Sequence, residues 1–198
     1  MKNDPTDTRS KILEAAVTVF AQKGYHETRV DDIVAASNTS KGSVYFYFPS
    51  KQEIFLGLID TFIAMLESRL TEAIADEKHG IAQMDSALTA SLHLFYQYRT
   101  LAKIVLVQAV GLGNIFEERR RSINKRFASI IKIRLDKAVQ DGSIPEIDTE
   151  LAALIWVGGL NEIVVNWIFT GEPDLVTSIP KVRLLLLNSI GSSPSQVE

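Results

Sequence analysis

Residues 39–51 read Thr39-Ser40-Lys41-Gly42-Ser43-Val44-Tyr45-Phe46-Tyr47-Phe48-Pro49-Ser50-Lys51, and this segment carries the clearest local signals in the chain. It predicts a short helix from about Ser40 to Tyr47, because Pro49 cannot continue a helix. Ser50 and Glu53 then have the spacing of a capping box, which predicts that a long helix follows.

The residues before this segment predict two more helices. Apolar residues with helical spacing from Ile12 to Phe20 indicate a first helix that ends at Gly24. The segment Thr28-Arg29-Val30-Asp31 has capping-box spacing and opens a short second helix. Asn38 tolerates the left-handed backbone conformation that a tight turn between two helices needs. Two short helices joined by such a turn form a helix-turn-helix, the unit that inserts a helix into the major groove of DNA.

The order and spacing of these residues resemble the DNA-binding segment of the tetracycline-repressor (TetR) family of transcriptional regulators. The resemblance covers about residues 8–58 and is strongest over residues 39–51. Two positions depart from the family pattern, since Asn38 replaces the usual turn glycine and Val30 stands where some members place a phosphate-binding threonine. The remainder matches the family only in length and helical character. The matching upstream positions are Phe20, Gly24, Thr28, Asp32 and Ile33.

The recognition helix that this resemblance implies carries side chains suited to DNA. Short hydroxyls near its N-terminus suit phosphate, because free N–H groups and the helix dipole attract anions there. Lys41 can reach a guanine edge or a phosphate, and Phe46 can meet a thymine methyl group. Gly42 allows close approach, while the tyrosine hydroxyls and Lys51 add phosphate contacts. The predicted DNA-binding residues are Thr28, Arg29, Thr39, Ser40, Lys41, Gly42, Ser43, Tyr45, Phe46, Tyr47 and Lys51.

A purely structural role competes with DNA binding at each of these positions. Tyr45 and Phe48 could be core aromatics, the lysines could be solvated charges, and Gly42 could be a neutral surface residue. A core-only explanation does not need glycine, lysine and paired tyrosines around two caps, so the joint pattern favours DNA binding. Val44 and Phe48 are expected to face inward.

The composition restricts where DNA could bind. The chain has 198 residues, a net charge of −3 and a pI of about 5.7, which argues against coating of nucleic acid by bulk charge. It contains no cysteine, which excludes disulfides and suits a reducing cytoplasm. It shows neither a signal peptide nor an uninterrupted apolar run long enough to cross a bilayer, so we expect a cytoplasmic protein without a membrane partner.

Residues 51–140 predict several helices around an apolar interior. The family resemblance implies a pocket here for a small effector, with mostly apolar walls that suit a lipophilic or aromatic molecule. Each polar candidate in it is more often a satisfied core group or a solvated surface group. The run Glu117–Arg121 with Lys125 and Arg126 is expected to be a solvated face with ion pairs rather than an anion site. The candidate pocket residues are Phe62, Leu66, His93, Phe95, Tyr96, Arg99 and Gln108.

The last section predicts two apolar helices. The first follows the acids at Asp148-Thr149-Glu150 and ends at Gly171, and Pro180 either kinks the second or marks its start. Pairing with the same helices of a second chain would bury their surface in a four-helix interface, as the resemblance also implies. The alternative is a bundle within one chain. The candidate dimer residues are Leu151, Ile155, Gly158, Gly159, Val165, Val182 and Leu186.

Together these features predict an all-α protein of about nine helices, with a DNA-binding domain over residues 1–51 and a ligand-binding and dimerisation domain over residues 52–198. The expected function is a ligand-responsive repressor that binds a near-palindromic operator as a homodimer and is released by a small effector. The alternatives are an enzyme or a helical ligand carrier without DNA binding. We expect no catalytic, metal or cofactor site, because His26, His79 and His93 form no recognisable metal cluster and no nucleotide-binding motif is present.

Overall fold

The computed structural model describes residues 5–110 and 112–191, with side chains from Asp7 onward, and every regular element in these ranges is helical. This confirms the all-α prediction with about nine helices. The ends of the predicted domains, residues 1–4 and 192–198, lie outside the described residues. The elements are α1 (Pro5–Glu27), α2 (Val30–Ser37), α3 (Lys41–Tyr47), α4 (Lys51–Ile74), α5 (Gly80–Gln97), α6 (Arg99–Lys103), a π-helix (Ile104–Gln108), α7 (Asn114–Gln140), α8 (Thr149–Thr170) and α9 (Leu175–Ser189).

The first compact unit comprises the chain up to Ala64 together with Thr100–Glu117. Gly24 leaves the helical conformation at φ 75° and ψ 171°, which confirms that the first helix is interrupted there. The centre of the unit is an aromatic cluster with ring centroids 5.1 to 5.9 Å apart, and burial raises the pKa of one member, Tyr25. The cluster consists of Phe20, Tyr25, Phe55 and Phe116.

The predicted domain boundary between residues 51 and 52 falls in the first turn of α4. The side chains that follow it, Ile54, Phe55 and Leu58, are fully buried, and Phe55 belongs to the aromatic cluster of the first unit. The first unit therefore includes about half of α4. The division of function between residues 1–51 and 52–198 stays a prediction.

The second compact unit comprises Met65–Arg99 and Glu118–Glu198. Its core surrounds the fully buried Trp156, and α5 enters it at Gly80. A Cβ atom on Gly80 would lie 2.6 Å from the backbone nitrogen of Ala138, so the α5–α7 approach requires glycine. Asp141 stabilises the same crossing, because its carboxylate accepts the Gly80 N–H at 3.1 Å. This crossing fixes α7 beside α5.

Helix α9 is held against α5 by an ion pair between Arg183 and Asp85. The helix begins at Leu175, since the Asp174 carboxylate accepts the Thr177 N–H at 2.8 Å as an N-terminal cap. Pro180 therefore lies inside α9 and does not mark its start. It removes one backbone donor early in the helix.

Helix α8 begins and ends where the sequence predicts. The Asp148 carboxylate accepts the Leu151 N–H at 2.9 Å, and Gly171 ends the helix at φ 78°. Helix α8 has 22 residues, and the mean hydropathy of its most apolar 18-residue window is 1.6, so by length and composition alone it could cross a membrane, although its apolar run is interrupted as the sequence predicts. Glu162 interrupts its apolar run without lowering the mean below that level. Only 28% of its most apolar window is buried, so the single chain leaves most of α8 uncovered.

Candidate nucleic-acid interface

The connection between α2 and α3 has the geometry of a helix-turn-helix. Asn38 adopts the left-handed conformation at φ 51° and ψ 37°, which confirms the role predicted for it. The next helix starts at Lys41, because the Ser40 hydroxyl accepts the Ser43 N–H at 3.0 Å as its N-terminal cap. After α3, the Ser50 hydroxyl accepts the Glu53 N–H at 3.2 Å and opens α4.

The cap of α2 lies one residue later than predicted. Arg29, and not Thr28, is the N-terminal cap residue of α2. Its N–H donates to the Asp32 carboxylate at 2.9 Å. Lys23 donates to the other oxygen of Asp32 at 2.8 Å, and these two hydrogen bonds, that of Lys23 first, lower the pKa of Asp32. The predicted box of Thr28 and Asp31 is wrong, because the Thr28 hydroxyl donates to the Gly24 carbonyl at 2.6 Å.

Helix α3 separates an inner face from an outer face. Val44 and Phe48 are buried, which confirms their predicted orientation. Phe46 is 80% exposed and Tyr45 is 43% exposed. A phenylalanine left in water on a seven-residue helix contributes little to the folding of this unit, so its presence needs another explanation.

Gly42 lies on the exposed surface of α3. A Cβ atom built there would meet only the Ser40 hydroxyl, at 3.8 Å, which is ordinary contact. The fold therefore does not require glycine at this position. A helical glycine costs about 1 kcal/mol relative to alanine, and close approach by a second molecule would offset that cost.

Lys41, the first residue of α3, forms an ion pair with α2. The Lys41 ammonium lies 2.7 Å from the Asp31 carboxylate, and this hydrogen bond raises the pKa of Lys41. Both side chains are more than half exposed, so a phosphate could replace Asp31 at little cost. The sequence shows both residues, but nothing in it indicates that Lys41 and Asp31 form an ion pair.

Three predicted phosphate ligands form short hydroxyl contacts at the start of α3. The Thr39 hydroxyl lies 2.7 Å from the Ser37 hydroxyl, and the Ser40 and Ser43 hydroxyls lie 2.8 Å apart. Each hydroxyl keeps acceptor capacity and can rotate its proton. The structure therefore brings Thr39, Ser40, Lys41, Gly42 and Ser43 together at one exposed helix terminus.

Two predicted DNA contacts have other partners. Lys51 donates to the carbonyls of Tyr25, His26 and Thr28 at 2.7, 3.1 and 2.8 Å, so all of its N–H donors are used inside the protein. Thr28 is 1% exposed, and its hydroxyl is bound to Gly24. Both side chains stabilise the end of α1, and their contact with DNA stays a prediction. Arg29, by contrast, is exposed.

The predicted pocket residues fall into several environments. Phe62 and Leu66 are buried, Phe95 is half-buried, and His93 and Tyr96 are exposed. Tyr96 packs its ring 5.7 Å from that of Trp167. Phe62 and Leu66 are therefore buried apolar residues as predicted, whereas His93 lies at the surface, and a pocket formed by these positions stays a prediction.

Arg99 and Gln108, also predicted as pocket anchors, bind backbone carbonyls. Arg99 donates to the carbonyls of Trp167 and Ile168 at 3.1 and 2.9 Å, and its guanidinium lies 4.6 Å from the Trp167 ring centre. It therefore caps the last turn of α8. Gln108 donates to the Phe20 carbonyl at 3.2 Å, while its own buried amide oxygen has no hydrogen-bond partner among the described residues.

Most of the predicted dimer residues lie on the uncovered surface of α8. Leu151 and Ile155 are more than half exposed, and Gly158 and Gly159 are exposed beside them. Val165 and Leu186 are half-buried. Val182 is buried within the chain and is not available to a partner. An apolar helix does not reveal from sequence which side faces out, and the structure exposes four further apolar residues on α8 and α9: Leu154, Phe169, Leu184 and Leu185.

Metal ligation has no support in the part of the chain that the structure describes. No group of three or more histidine, cysteine, aspartate or glutamate residues there could hold a metal ion. The arrangement that the described residues do provide is a helix with exposed hydroxyl, cationic and aromatic side chains, presented by a helix-turn-helix. The structural class is therefore a helix-turn-helix DNA-binding protein.

Comparison with known proteins gives the family. Residues 12–58 match the model of the bacterial regulatory proteins of the tetR family. The fatty acid metabolism regulator protein of Bacillus subtilis is 29% identical over 188 residues, which cover 91% of this chain and 94% of the relative. The HTH-type transcriptional repressor KstR2 of Rhodococcus jostii is 26% identical, over 93% of this chain and 91% of the relative.

Solved structures agree with these relatives. The transcriptional regulator FadR from Bacillus subtilis, in complex with stearoyl-CoA, has a TM-score of 0.82 and 25% identity, and covers 91% of this chain and 98% of its own. A TetR-family regulator from Syntrophomonas wolfei has a TM-score of 0.85 over 96% of this chain, at 20% identity. The chain belongs to the TetR family of transcriptional regulators. The relatives and solved structures named here are transcriptional regulators and not enzymes, which agrees with the regulatory function predicted for this chain.

Proposed function

We propose that the chain represses transcription as a homodimer bound to a near-palindromic operator. The observation that carries this proposal is the outer surface of α3, where Phe46 is 80% exposed beside a glycine that the fold does not need. Two such helices related by a twofold axis and separated by about 34 Å would enter successive major grooves. Lys41 and Phe46 would then contact base edges, while the hydroxyls near Ser40 bind phosphate.

The uncovered surface of α8 and α9 supports the dimer. Leu151, Leu154 and Ile155 on α8 and Leu184 and Leu185 on α9 are all about half exposed or more. Contiguous apolar side chains on this scale mark a protein interface. The small residues Gly158 and Gly159 would let two α8 helices approach closely. We propose that a second chain covers these helices in a four-helix interface, in the cytoplasm.

The proposed effector is a lipophilic molecule, and we propose a long-chain fatty acyl-CoA. The similar regulator from Bacillus subtilis was solved with stearoyl-CoA, and the curated relative from the same species regulates fatty acid metabolism. The buried apolar side chains of Phe62 and Leu66 on α4 suit an acyl chain. In the proposed dimer, the two DNA-binding domains (residues 1–51 of each chain) have the separation that fits the operator. A ligand that binds better to a state with a different separation would release the operator.

Selection from a random double-stranded DNA pool tests the operator. We expect an enriched near-palindrome whose half-sites lie about 10 base pairs apart, with binding that weakens as salt rises. A Tyr45→Ala, Phe46→Ala variant should lose this binding. Ile133→Ala provides the matched control, because Ile133 is also an exposed apolar residue but lies on α7. Failure to enrich any sequence would refute the proposal.

Titration of the protein–DNA complex tests the effector. Stearoyl-CoA should weaken operator binding by about tenfold or more, within the range of allosteric coupling energies. CoA without an acyl chain should not release DNA, because it does not fill the apolar interior. Release by unrelated aromatic compounds, with no effect of stearoyl-CoA, would identify another effector class and overturn the fatty acyl assignment.

A further inference from the structure

The uncovered side of α8 carries one carboxylate near its centre. Helical residues spaced three and four apart share one side, and the exposed residues of α8 follow this spacing. Glu162 is exposed within this series, one turn after Gly158. The other acid of α8, Glu150, lies in the first turn and outside the series. A molecule that covers this side of α8 therefore covers Glu162. The series consists of Leu151, Ile155, Gly158, Glu162, Asn166 and Phe169.

The exposed side of α9 carries one available cation in a similar position. Lys181 is exposed, and Leu184 and Leu185 follow it one turn later. The other cation of α9, Arg183, is already bound to Asp85 of α5. The exposed series of α9 consists of Thr177, Lys181, Leu184, Leu185 and Asn188. We call the two series together the α8–α9 face, and this face combines one negative and one positive charge with apolar and uncharged residues.

Glu162 and Lys181 do not form a pair within the single chain. The two helices run antiparallel and are in contact, because the Trp156 indole N–H near the start of α8 donates to the Ser189 hydroxyl at the end of α9, at 3.2 Å. Counted along the helices from this contact, Glu162 and Lys181 lie at similar levels. Neither side chain nevertheless forms an ion pair or a hydrogen bond with any of residues 5–110 and 112–191.

The α8–α9 face is complementary to a second copy of itself. A charge that is buried in an interface without a partner opposes association, so a chain that covers Glu162 has to supply a cation. A twofold axis exchanges the two ends of a face and leaves its middle in the middle. Glu162 lies within three residues of the middle of α8, and Lys181 within one residue of the middle of α9. Two copies of the face therefore bring opposite charges together near the axis.

We propose that Glu162 of each chain forms an ion pair with Lys181 of the second copy across the α8–α9 face. This pair rests on the proposed homodimer, and it identifies the contact that selects the partner chain. The pair occurs twice in a twofold interface, so a change of either charge acts at two points. A related chain without this acid and this base would leave charges unpaired and would be rejected as a partner.

Reversal of each charge in the full-length protein tests the pair. Glu162→Lys alone and Lys181→Glu alone should each raise the dimer Kd by about 100-fold or more, because like charges then meet at two points. Sedimentation velocity measures the Kd. Glu146→Lys is the matched control, because it makes the same change at an exposed residue before α8 and outside the α8–α9 face. Circular dichroism shows whether each variant is folded.

An equimolar mixture of the two reversed variants distinguishes a contact between chains from a contact within one chain. In their heterodimer, each reversed charge faces an opposite charge on the other chain. We therefore expect the heterodimer to form with a Kd within about tenfold of that of the parent, while both homodimers stay weak. Native mass spectrometry with one variant isotope-labelled identifies the heterodimer by its mass. Co-expression of the two variants provides the same test if either of them does not fold alone.

Three results would overturn the pair. Single variants that dimerise as tightly as the parent would show that the charges do not meet. Recovery in the double variant Glu162→Lys, Lys181→Glu, without recovery in the mixture, would place the contact within one chain. No recovery in either would show that the two charges act separately. With a dimeric parent, each of these results removes the pair and leaves the proposed homodimer, whereas a monomeric parent refutes both.

Discussion

Lys41 and Asp31 form an ion pair with a distance of 2.7 Å between Nζ and Oδ1, which links the first residue of the recognition helix to α2. The pair holds the lysine in place, but it also occupies the cation that DNA would contact. In the proposed complex, Lys41 exchanges this carboxylate partner for a phosphate or a guanine.

Asp31→Asn should increase operator affinity by about threefold to tenfold, because Lys41 no longer gives up a partner and a negative charge near the phosphates is lost. The slope of log K against log salt should also become steeper, by up to about 0.9 for one additional phosphate contact. Binding titrations at several salt concentrations measure both effects.

Asp76→Asn is the control for Asp31→Asn, since it removes the same charge from an exposed turn outside the helix-turn-helix. A loss of affinity in Asp31→Asn would show that Asp31 positions Lys41 for its contact, contrary to this prediction.

Lys51→Met should lower the free energy of unfolding by about 2 kcal/mol, because the carbonyls of Tyr25, His26 and Thr28 lose a charged donor. Chemical denaturation measures the loss. The salt dependence of DNA binding should stay unchanged. A variant with normal stability and a salt slope reduced by about 0.9 would instead show that Lys51 binds phosphate.

The helix-turn-helix could be predicted because its boundaries are set by local chemistry. Gly24, Asn38, Ser40 and Pro49 each act within a few residues of their own position, and the structure places the helix ends at these residues or next to them. The predicted cap of α2 lies one residue too early. Asp31 and Asp32 are adjacent, and either of them could be the acidic residue of the capping box. The choice between them depends on the contact of Asp32 with Lys23.

Long-range contacts account for what the sequence could not show. The sequence predicts that Lys51 contacts phosphate, and it does not show that the carbonyls which bind this lysine come from the end of α1 and the residues next to it. On α9, Val182 and Leu185 are both strongly apolar, but Val182 is buried in the folded chain while Leu185 stays 71% exposed. Only the folded chain identifies which of them a partner can reach.

Ile155→Glu combined with Leu185→Glu should convert the dimer to monomer. Both side chains are largely exposed in the single chain, and each change occurs twice in a twofold interface. We expect the dimer Kd to rise by about 100-fold or more, as burial of unpaired charge at an interface implies. Sedimentation velocity measures the change, and operator binding should fall with it.

Ile133→Glu is the control for this pair, because it places the same charge at an exposed apolar residue of α7. A double variant that stays dimeric would show that a different surface joins the two chains.

Asp32 on α2 makes the stability of the helix-turn-helix depend on pH. Its pKa is lowered in the folded chain by the Lys23 hydrogen bond and by the Arg29 N–H, so folding favours the ionised carboxylate. The stabilisation is therefore present above the unfolded pKa of about 3.9 and is lost as the pH falls through the lower folded value.

Asp32→Asn should unfold at a lower temperature than the parent at pH 7, and the difference in Tm should shrink in acid. Calorimetry between neutral pH and about pH 3 covers this window. Asp76→Asn serves as the charge-matched control, because it removes the same charge from an exposed turn outside the helix-turn-helix. A difference between Asp32→Asn and the parent that persists unchanged in acid would mean that the side chain acts through its shape and not through its charge.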